Sequence, residues 1–93
     1  SFVEVQTISV KARLLHVLMI FYERYGRLDP DVGHVFDIPV ARQDLAALVG
    51  AAPETISRTT RQLQADGLVQ FPGVRKAIIP DLDLVFDAIG ADT

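Results

Sequence analysis

The chain has 93 residues, of which 49% are hydrophobic and 23% are charged, and its formal net charge is −3. This length fits one small domain that buries roughly 60% of its unfolded surface, and the hydrophobic content excludes an intrinsically disordered chain. The absence of cysteine excludes a disulfide framework and a cysteine-built zinc site, and the acidic balance argues against a strongly basic nucleic-acid binder.

The first segment indicates a piece of a longer, cytoplasmic protein. The chain begins with Ser1 instead of Met, and no signal peptide is visible. Its longest apolar run, Leu14–Tyr22, has nine residues and contains a histidine, whereas a membrane span needs about 20. We therefore expect residues 1–8 to be a linker remnant, residues 9–93 to be the domain, and no contact with a membrane.

The first predicted element is a helix, Val10–Tyr25, with Ser9 as its N-cap. Apolar residues lie on two of its sides, which predicts burial on both. We expect one side to face the core of this domain and the other an upstream domain or a partner subunit. The two stripes are Leu15, Leu18, Met19 and Tyr22, and Leu14, Val17, Phe21 and Tyr25.

A turn and a strand follow. Residues 26–34, GRLDPDVGH, combine glycine, aspartate and proline, which is typical of a turn. Residues 35–40, VFDIPV, alternate in polarity and include β-branched side chains, so they predict a short strand ended by Pro39.

Two short helices come next. The first is Arg42–Val49, with Leu45, Leu48 and Val49 predicted to face inward, and Gly50 ends it. The second begins at Pro53, the favoured first helical position, and runs to about Asp66.

The last predicted elements are a hairpin and a helix. The segments LVQF and AIIP flank the turn PGVRK, which predicts two antiparallel strands with Arg75 and Lys76 at the tip. Residues 81–89, DLDLVFDAI, predict a short final helix.

The spacing of small and apolar residues in 42–61 is that of a helix-turn-helix. Ala46 allows the two helices to cross closely, Gly50 accepts positive φ in the turn, and Ile56 anchors the second helix on the first. With the flanking strand and hairpin, the predicted fold is α+β and mostly α, a winged helix-turn-helix with a small antiparallel β wing.

Three side chains of the second helix form a candidate base-reading face. Glu54, Ser57 and Arg58 share one side of the helix, opposite the inward-facing Ile56, Thr60 and Leu63. Arg58 has the donors for guanine O6 and N7, Glu54 can accept from the cytosine amine, and Ser57 permits close approach. Two simpler explanations remain open: Glu54 as an acid favoured in a first helical turn, or a surface ion pair with Arg58.

The local charge supports contact with a polyanion. Residues 42–76 contain five basic and three acidic side chains, so they carry +2 and the rest of the chain carries −5. Contacts to phosphate position a domain on DNA without selecting a sequence. The candidates for such contacts are Arg42, Gln43, Thr55, Arg61, Arg75 and Lys76.

No other site chemistry is predicted. The sequence offers no nucleophile–base pair, phosphate-cradling glycine loop or paired carboxylates, so no catalytic residue is expected and an enzyme is improbable. Asp29, Asp31 and Asp37 do not fit a calcium loop, because Pro30 interrupts them and the terminal glutamate is lacking. We expect neither a metal nor a cofactor in this segment.

The segment RQDLAALVGAAPETISRTTRQLQADGLV resembles the DNA-binding domain of the Crp/Fnr family of bacterial transcription regulators. KARLLHVL resembles the helix that follows the interdomain hinge of that family, and the resemblance spans residues 9–87. It implies a homodimer, an upstream effector-sensing domain, double-stranded DNA as partner and a palindromic target. In the Fnr-like branch, Glu54, Ser57 and Arg58 would recognise half-sites resembling TTGAT, and residues 26–34 would lie where some members contact RNA polymerase. The effector, the operator and the direction of regulation are not encoded here.

Two departures from the family pattern affect the expected site. Ala41 and Ala52 stand where the family has Ser or Thr caps, so the second helix is expected to fray without DNA. Thr59 and Thr60 replace aliphatic residues, which is expected to weaken packing and alter the tilt of that helix. The alternative function is a winged-helix module for protein–protein docking, which the acidic total and the doubly apolar first helix favour.

Overall fold

A computed structural model describes residues 8–92 as four helices and a small antiparallel sheet, which confirms the predicted winged-helix class. The predicted linker remnant lies, apart from Ile8, outside the described residues, as does Thr93. The helices and strands are α1 Val10–Tyr25, β1 Arg27–Asp29, β2 Gly33–Asp37, α2 Arg42–Val49, α3 Pro53–Ala65, β3 Gln70–Gly73, β4 Lys76–Ile79 and α4 Leu82–Ala91.

The sheet has four strands in the order β1-β2-β4-β3, all neighbours antiparallel. The prediction of a simple turn over residues 26–34 is wrong, because Arg27–Asp29 pairs with Gly33–Val35. Strand β2 likewise begins at Gly33 and ends at Asp37, earlier than predicted. The composition of β1 is that of a turn, and only its hydrogen bonds to β2 make it a strand.

The core surrounds α1, which contacts β2 and the other three helices. The prediction that one apolar stripe of α1 faces something outside this domain is largely wrong: Leu14 is fully buried, and Val17 and Phe21 pack against the core. Of that stripe only Tyr25 is well exposed, at 57%. The chain therefore covers most of both sides of α1 by itself, partly with α4.

Local signals explain most helix boundaries. The Ser9 hydroxyl accepts a hydrogen bond from the Ala12 backbone N–H at 3.1 Å, which confirms Ser9 as the N-cap of α1. Asp81 caps α4 by accepting from the Asp83 N–H, so this helix begins one residue later than predicted and extends to Ala91. Within residues 8–92, no helix combines the length and apolar character needed to cross a bilayer.

Candidate nucleic-acid interface

The turn between α2 and α3 is built as the sequence predicts. Gly50 has φ 78° and ψ 41°, and its N–H and that of Ala51 donate to the Ala46 carbonyl at 2.8 and 3.0 Å. Ala46 is buried, but Leu48, which was predicted to face inward, is 58% exposed. The buried side of this helix consists of Leu45, Ala46 and Val49, so the small alanine side chain takes the place expected for leucine.

Glycine is needed at position 50 because the backbone there is left-handed, and not because a side chain would lack space. A Cβ added at this position meets no atom within 4 Å. Replacing it with alanine should therefore lower the free energy of unfolding by about 1–2 kcal/mol, the cost of a left-handed residue that carries a side chain. Urea unfolding followed by circular dichroism measures this change. Gly90→Ala is the matched control: it lies in α4 with equally open surroundings and should be neutral or stabilising, because alanine favours helix. Equal destabilisation by both variants would contradict the role assigned to Gly50.

Helix α3 forms without a side-chain cap, since Ala52 makes no capping hydrogen bond and Pro53 opens the helix. The two threonines that replace aliphatic residues are both buried, which extends the predicted inward face by Thr59. Their hydroxyls donate to the carbonyls of Thr55 and Ser57 at 2.7 and 2.8 Å. Both polar groups are thereby satisfied within the helix, and α3 remains continuous from Pro53 to Ala65.

The three predicted base-reading side chains lie on the outward side of α3. Glu54 and Arg58 are exposed, and Ser57 is half-buried beside them. The ion pairs among residues 8–92 do not include one between Glu54 and Arg58, so this simpler explanation of their spacing has no support in the geometry. Arg58 Nη2 instead donates weakly to Thr55 Oγ1 at 3.3 Å, which leaves its other donors facing outward.

The predicted phosphate contacts on the helices fall into two groups. Gln43 and Arg61 are exposed and make no side-chain hydrogen bond or ion pair within residues 8–92. Arg42 is half-buried between α3 and the wing, with Nη1 3.4 Å from Thr60 Oγ1 and Nη2 3.5 Å from the Val74 carbonyl. Thr55, half-buried, accepts from Arg58. Arg42 therefore bridges the two parts of the interface and is less free than Arg61.

The basic residues of the wing have partners at the end of β2 and just after it. Arg75 Nε donates to the Ile38 carbonyl at 3.2 Å, and Lys76 Nζ lies 3.6 Å from an oxygen of Asp37. These residues and Pro39 line an open cleft of about 470 Å³. The wing is thus bound to the segment that precedes α2. The Asp37 carboxylate lies next to Lys76, which is one of the two cations of the wing.

Asp37 is a functional candidate that the sequence analysis missed. It was weighed only as a calcium ligand, and no group of three or more potential metal ligands occurs within residues 8–92. Its position opposite Lys76 follows from the pairing of β2 with β4, two strands separated by the whole helix-turn-helix. No local pattern encodes this pairing, so no sequence signal was available.

Replacing Asp37 with asparagine should strengthen binding to any DNA duplex, because a phosphate near Lys76 would no longer meet a neighbouring negative charge. An exposed pair of this kind contributes about 0.2–1 kcal/mol, so the dissociation constant should fall roughly 1.5- to 5-fold. Anisotropy titrations with cognate and random duplexes measure this effect. Asp87→Asn makes the same charge change on an exposed position of α4 and should change the affinity less. If Asp37→Asn behaves like this control, Lys76 does not contact phosphate.

Comparison with known proteins agrees with this architecture. A family model described as the Crp-like helix-turn-helix domain matches residues 12–84. The transcriptional activator protein FnrL of Cereibacter sphaeroides is 33% identical over 58 residues, which cover 62% of this chain and 23% of FnrL. The chain thus corresponds to about a quarter of that relative.

Solved structures show the same fold at low sequence identity. A mutant of CooA from Carboxydothermus hydrogenoformans superposes with a TM-score of 0.79 at 17% identity, covering 87% of this chain and 37% of CooA. TTHB099, a transcriptional regulator of the CRP family from Thermus thermophilus, gives a TM-score of 0.75 at 20% identity, covering 90% and 42%. This chain therefore spans about two fifths of each of these proteins, and the likeness concerns the fold of that part.

Proposed function

The chain belongs to the Crp-like helix-turn-helix family, and from this membership we propose that it is the sequence-specific DNA-binding domain of a Crp/Fnr-type transcription regulator. Helix α3 would enter the major groove with Glu54, Ser57 and Arg58 toward the bases. The observation that carries the proposal is the outward placement of Glu54 and Arg58, which form no ion pair with each other, directly after the Gly50 turn. A half-buried Ser57 between them leaves room for a base edge.

The proposed target is a palindrome of two TTGAT-like half-sites bound by a homodimer. Each protomer would place one α3 in a major groove, with half-site centres about 34 Å apart along the duplex. Gln43, Thr55, Arg61 and the wing residues Arg75 and Lys76 would position the domain on phosphates, and Arg42 would hold the wing against α3. The 93-residue chain should bind weakly by itself, because the contacts that hold the two copies together are proposed to lie in the upstream part of the regulator.

The test is an anisotropy titration of the chain against a palindromic TTGAT-type duplex and a scrambled duplex of equal length. We expect preference for the palindrome and an affinity that falls steeply with salt, because each neutralised phosphate contributes a slope of about −0.9 in log affinity against log salt. Equal and negligible binding to both duplexes by a dimerised form of the chain would favour the docking alternative. The support for that alternative is reduced to exposed apolar residues such as Ile20 and Phe86, which line one surface pocket, since only Tyr25 of the second stripe of α1 is well exposed.

We propose RNA polymerase as a further partner, through the β1–β2 hairpin that contains most of residues 26–34. Leu28 and Val32 of this hairpin are 65% and 48% exposed. The hairpin is held on α1, since the Tyr22 hydroxyl and His34 Nδ1 lie 2.7 Å apart. Protection of these residues from amide exchange by polymerase on promoter DNA would support the contact, and unchanged exchange would remove it.

A further inference from the structure

The first turn of α1 holds the C-terminal ends of the other three helices. We call Ser9, Lys11 and Arg13 the N-terminal clamp. The Ser9 N–H donates to Asp92 Oδ2 at 2.7 Å, Lys11 Nζ pairs with Asp66 Oδ2 at 3.2 Å, and Arg13 Nε donates to the Val49 carbonyl at 2.8 Å. Val49 is the last residue of α2, while Asp66 and Asp92 are the C-caps of α3 and α4.

Two of these contacts, those of Arg13 and Lys11, suit the end of a helix. The last carbonyls of a helix lack partners within it, and its C-terminus carries a partial negative charge that attracts cations. Arg13 supplies a donor to one such carbonyl, and Lys11 places a positive charge beside the end of α3. The hydrogen bonds from Ser9 also hold the pKa of Asp92 below its usual value, which keeps this acceptor ionised.

Arg13 makes a second side-chain contact, to the segment before α1. Its Nη1 donates to the Ile8 carbonyl, at the point where the described chain begins, while its Nε holds Val49. Val49 immediately precedes Gly50, whose left-handed conformation sets the direction in which α3 leaves the turn. One planar guanidinium therefore joins the segment before α1 to the turn before the base-reading face.

We propose that Arg13 is a positioning residue for DNA readout, which transmits displacement of the chain at Ile8 to the Gly50 turn and so to α3. This inference rests on the proposed function and concerns the regulation of the same site. The fork of donors on arginine makes the connection possible, since a lysine ammonium on a flexible stem does not fix two acceptors in one plane. Because Nε and Nη1 of Arg13 both donate to backbone carbonyls of the chain, we assign it no contact with phosphate.

The experiment compares the 93-residue chain with its Arg13→Ala, Arg13→Lys and Arg24→Ala variants. Arg24 is an exposed basic residue in the last turn of α1 and serves as the charge-matched control. Changes along a coupling network shift affinity by amounts equivalent to roughly 2- to 30-fold. Arg13→Ala should lower the affinity for the TTGAT-type palindrome within this range and should reduce binding to random DNA no more than Arg24→Ala does. Arg13→Lys should fall between wild type and Arg13→Ala.

Amide hydrogen exchange of the free proteins provides a readout that needs no DNA. Loss of the Arg13 contacts should accelerate exchange in residues 50–56 selectively, because a local opening exposes only the amides of that segment. If exchange accelerates uniformly and the ratio of palindrome to random affinity is unchanged, Arg13 has a purely structural role and the inference is overturned. If Arg13→Ala does not fold, the Arg13→Lys variant decides by the same two criteria. If the wild-type chain shows no preference for the palindrome, the proposed function is contradicted. The role of Arg13 is then decided by whether exchange accelerates selectively in residues 50–56.

Discussion

Arg58→Ala should weaken binding to the palindromic duplex by roughly 1–3 kcal/mol, the discrimination that a bidentate arginine–guanine contact provides. This range corresponds to about a 5- to 150-fold rise in the dissociation constant. Binding to random DNA should change little, because only a base contact distinguishes one sequence from another. The stability of the fold should also be nearly unchanged, since Arg58 is exposed and its single hydrogen bond to Thr55 is long. Parallel titrations at one salt concentration measure both affinities.

Arg61→Ala is the matched control for this measurement. Arg61 lies one turn further along α3, is exposed, and is assigned to phosphate. Its loss should weaken the palindromic and random complexes by the same factor and should reduce the slope of log affinity against log salt by about 1. If Arg58→Ala also weakens both complexes equally, it contacts only phosphate and the assignment of the base-reading face is wrong.

The parts of the fold that the sequence predicted correctly depend on strong local signals. Helix α2 was predicted with both boundaries, because Gly50 supplies the left-handed residue that ends it and the alternation of strand residues stops before it. Helix α3 was predicted from Pro53, which suits the first helical position, and from the clear separation of its polar and apolar sides. The predicted outward side of α3 carries Glu54, Ser57 and Arg58 in the structure as well. Their roles in DNA binding stay predictions.

The parts that were predicted wrongly depend on contacts between distant segments. Leu48 and Ala46 both suit the buried side of an eight-residue helix, and only the close crossing with α3 favours the smaller side chain. Strand β1 exists because β2 lies beside it. The second stripe of α1 was assigned to an absent partner because α4, nearly 60 residues later, gave no sign of where it would pack. The Asp37–Lys76 pair likewise follows from a strand pairing across the helix-turn-helix.

These contacts change how the interface is understood. The sequence of residues 42–76 gives no sign that its basic side chains have partners. In the fold, three of these side chains contact other parts of the domain. Arg42 lies between α3 and the wing, Arg75 donates to the Ile38 carbonyl just after β2, and Lys76 is paired with Asp37. Arg58 and Arg61 are less constrained. The proposed recognition by α3, next to basic side chains that are partly neutralised, is consistent with a domain whose total charge is acidic.

The packing of α3 on the rest of the domain depends on Ile56, its apolar anchor. Its side chain is fully buried in the core cluster together with Ala46 and Val49 of α2 and Leu14 and Leu18 of α1. Ile56→Ala should lower the free energy of unfolding by about 2–5 kcal/mol, because the removed methyl groups leave a cavity that a close-packed core fills only partly. A domain of this size has roughly 5–15 kcal/mol in total, so the variant should be only marginally stable.

Urea unfolding measures the loss as a lower midpoint with an unchanged slope. Ile56→Val should cost only about 0.5–1.5 kcal/mol, and Ile20→Ala, the same truncation at a half-exposed position of α1, should cost less than Ile56→Ala because little apolar surface leaves the core. The folded Ile56→Val protein should keep its preference for the palindromic duplex, since its polar face is untouched. A small effect of Ile56→Ala would mean that α3 is held largely by the hydrogen bond from Arg42 to Thr60. In that case the orientation of the base-reading face would depend on hydrogen bonds and not on packing.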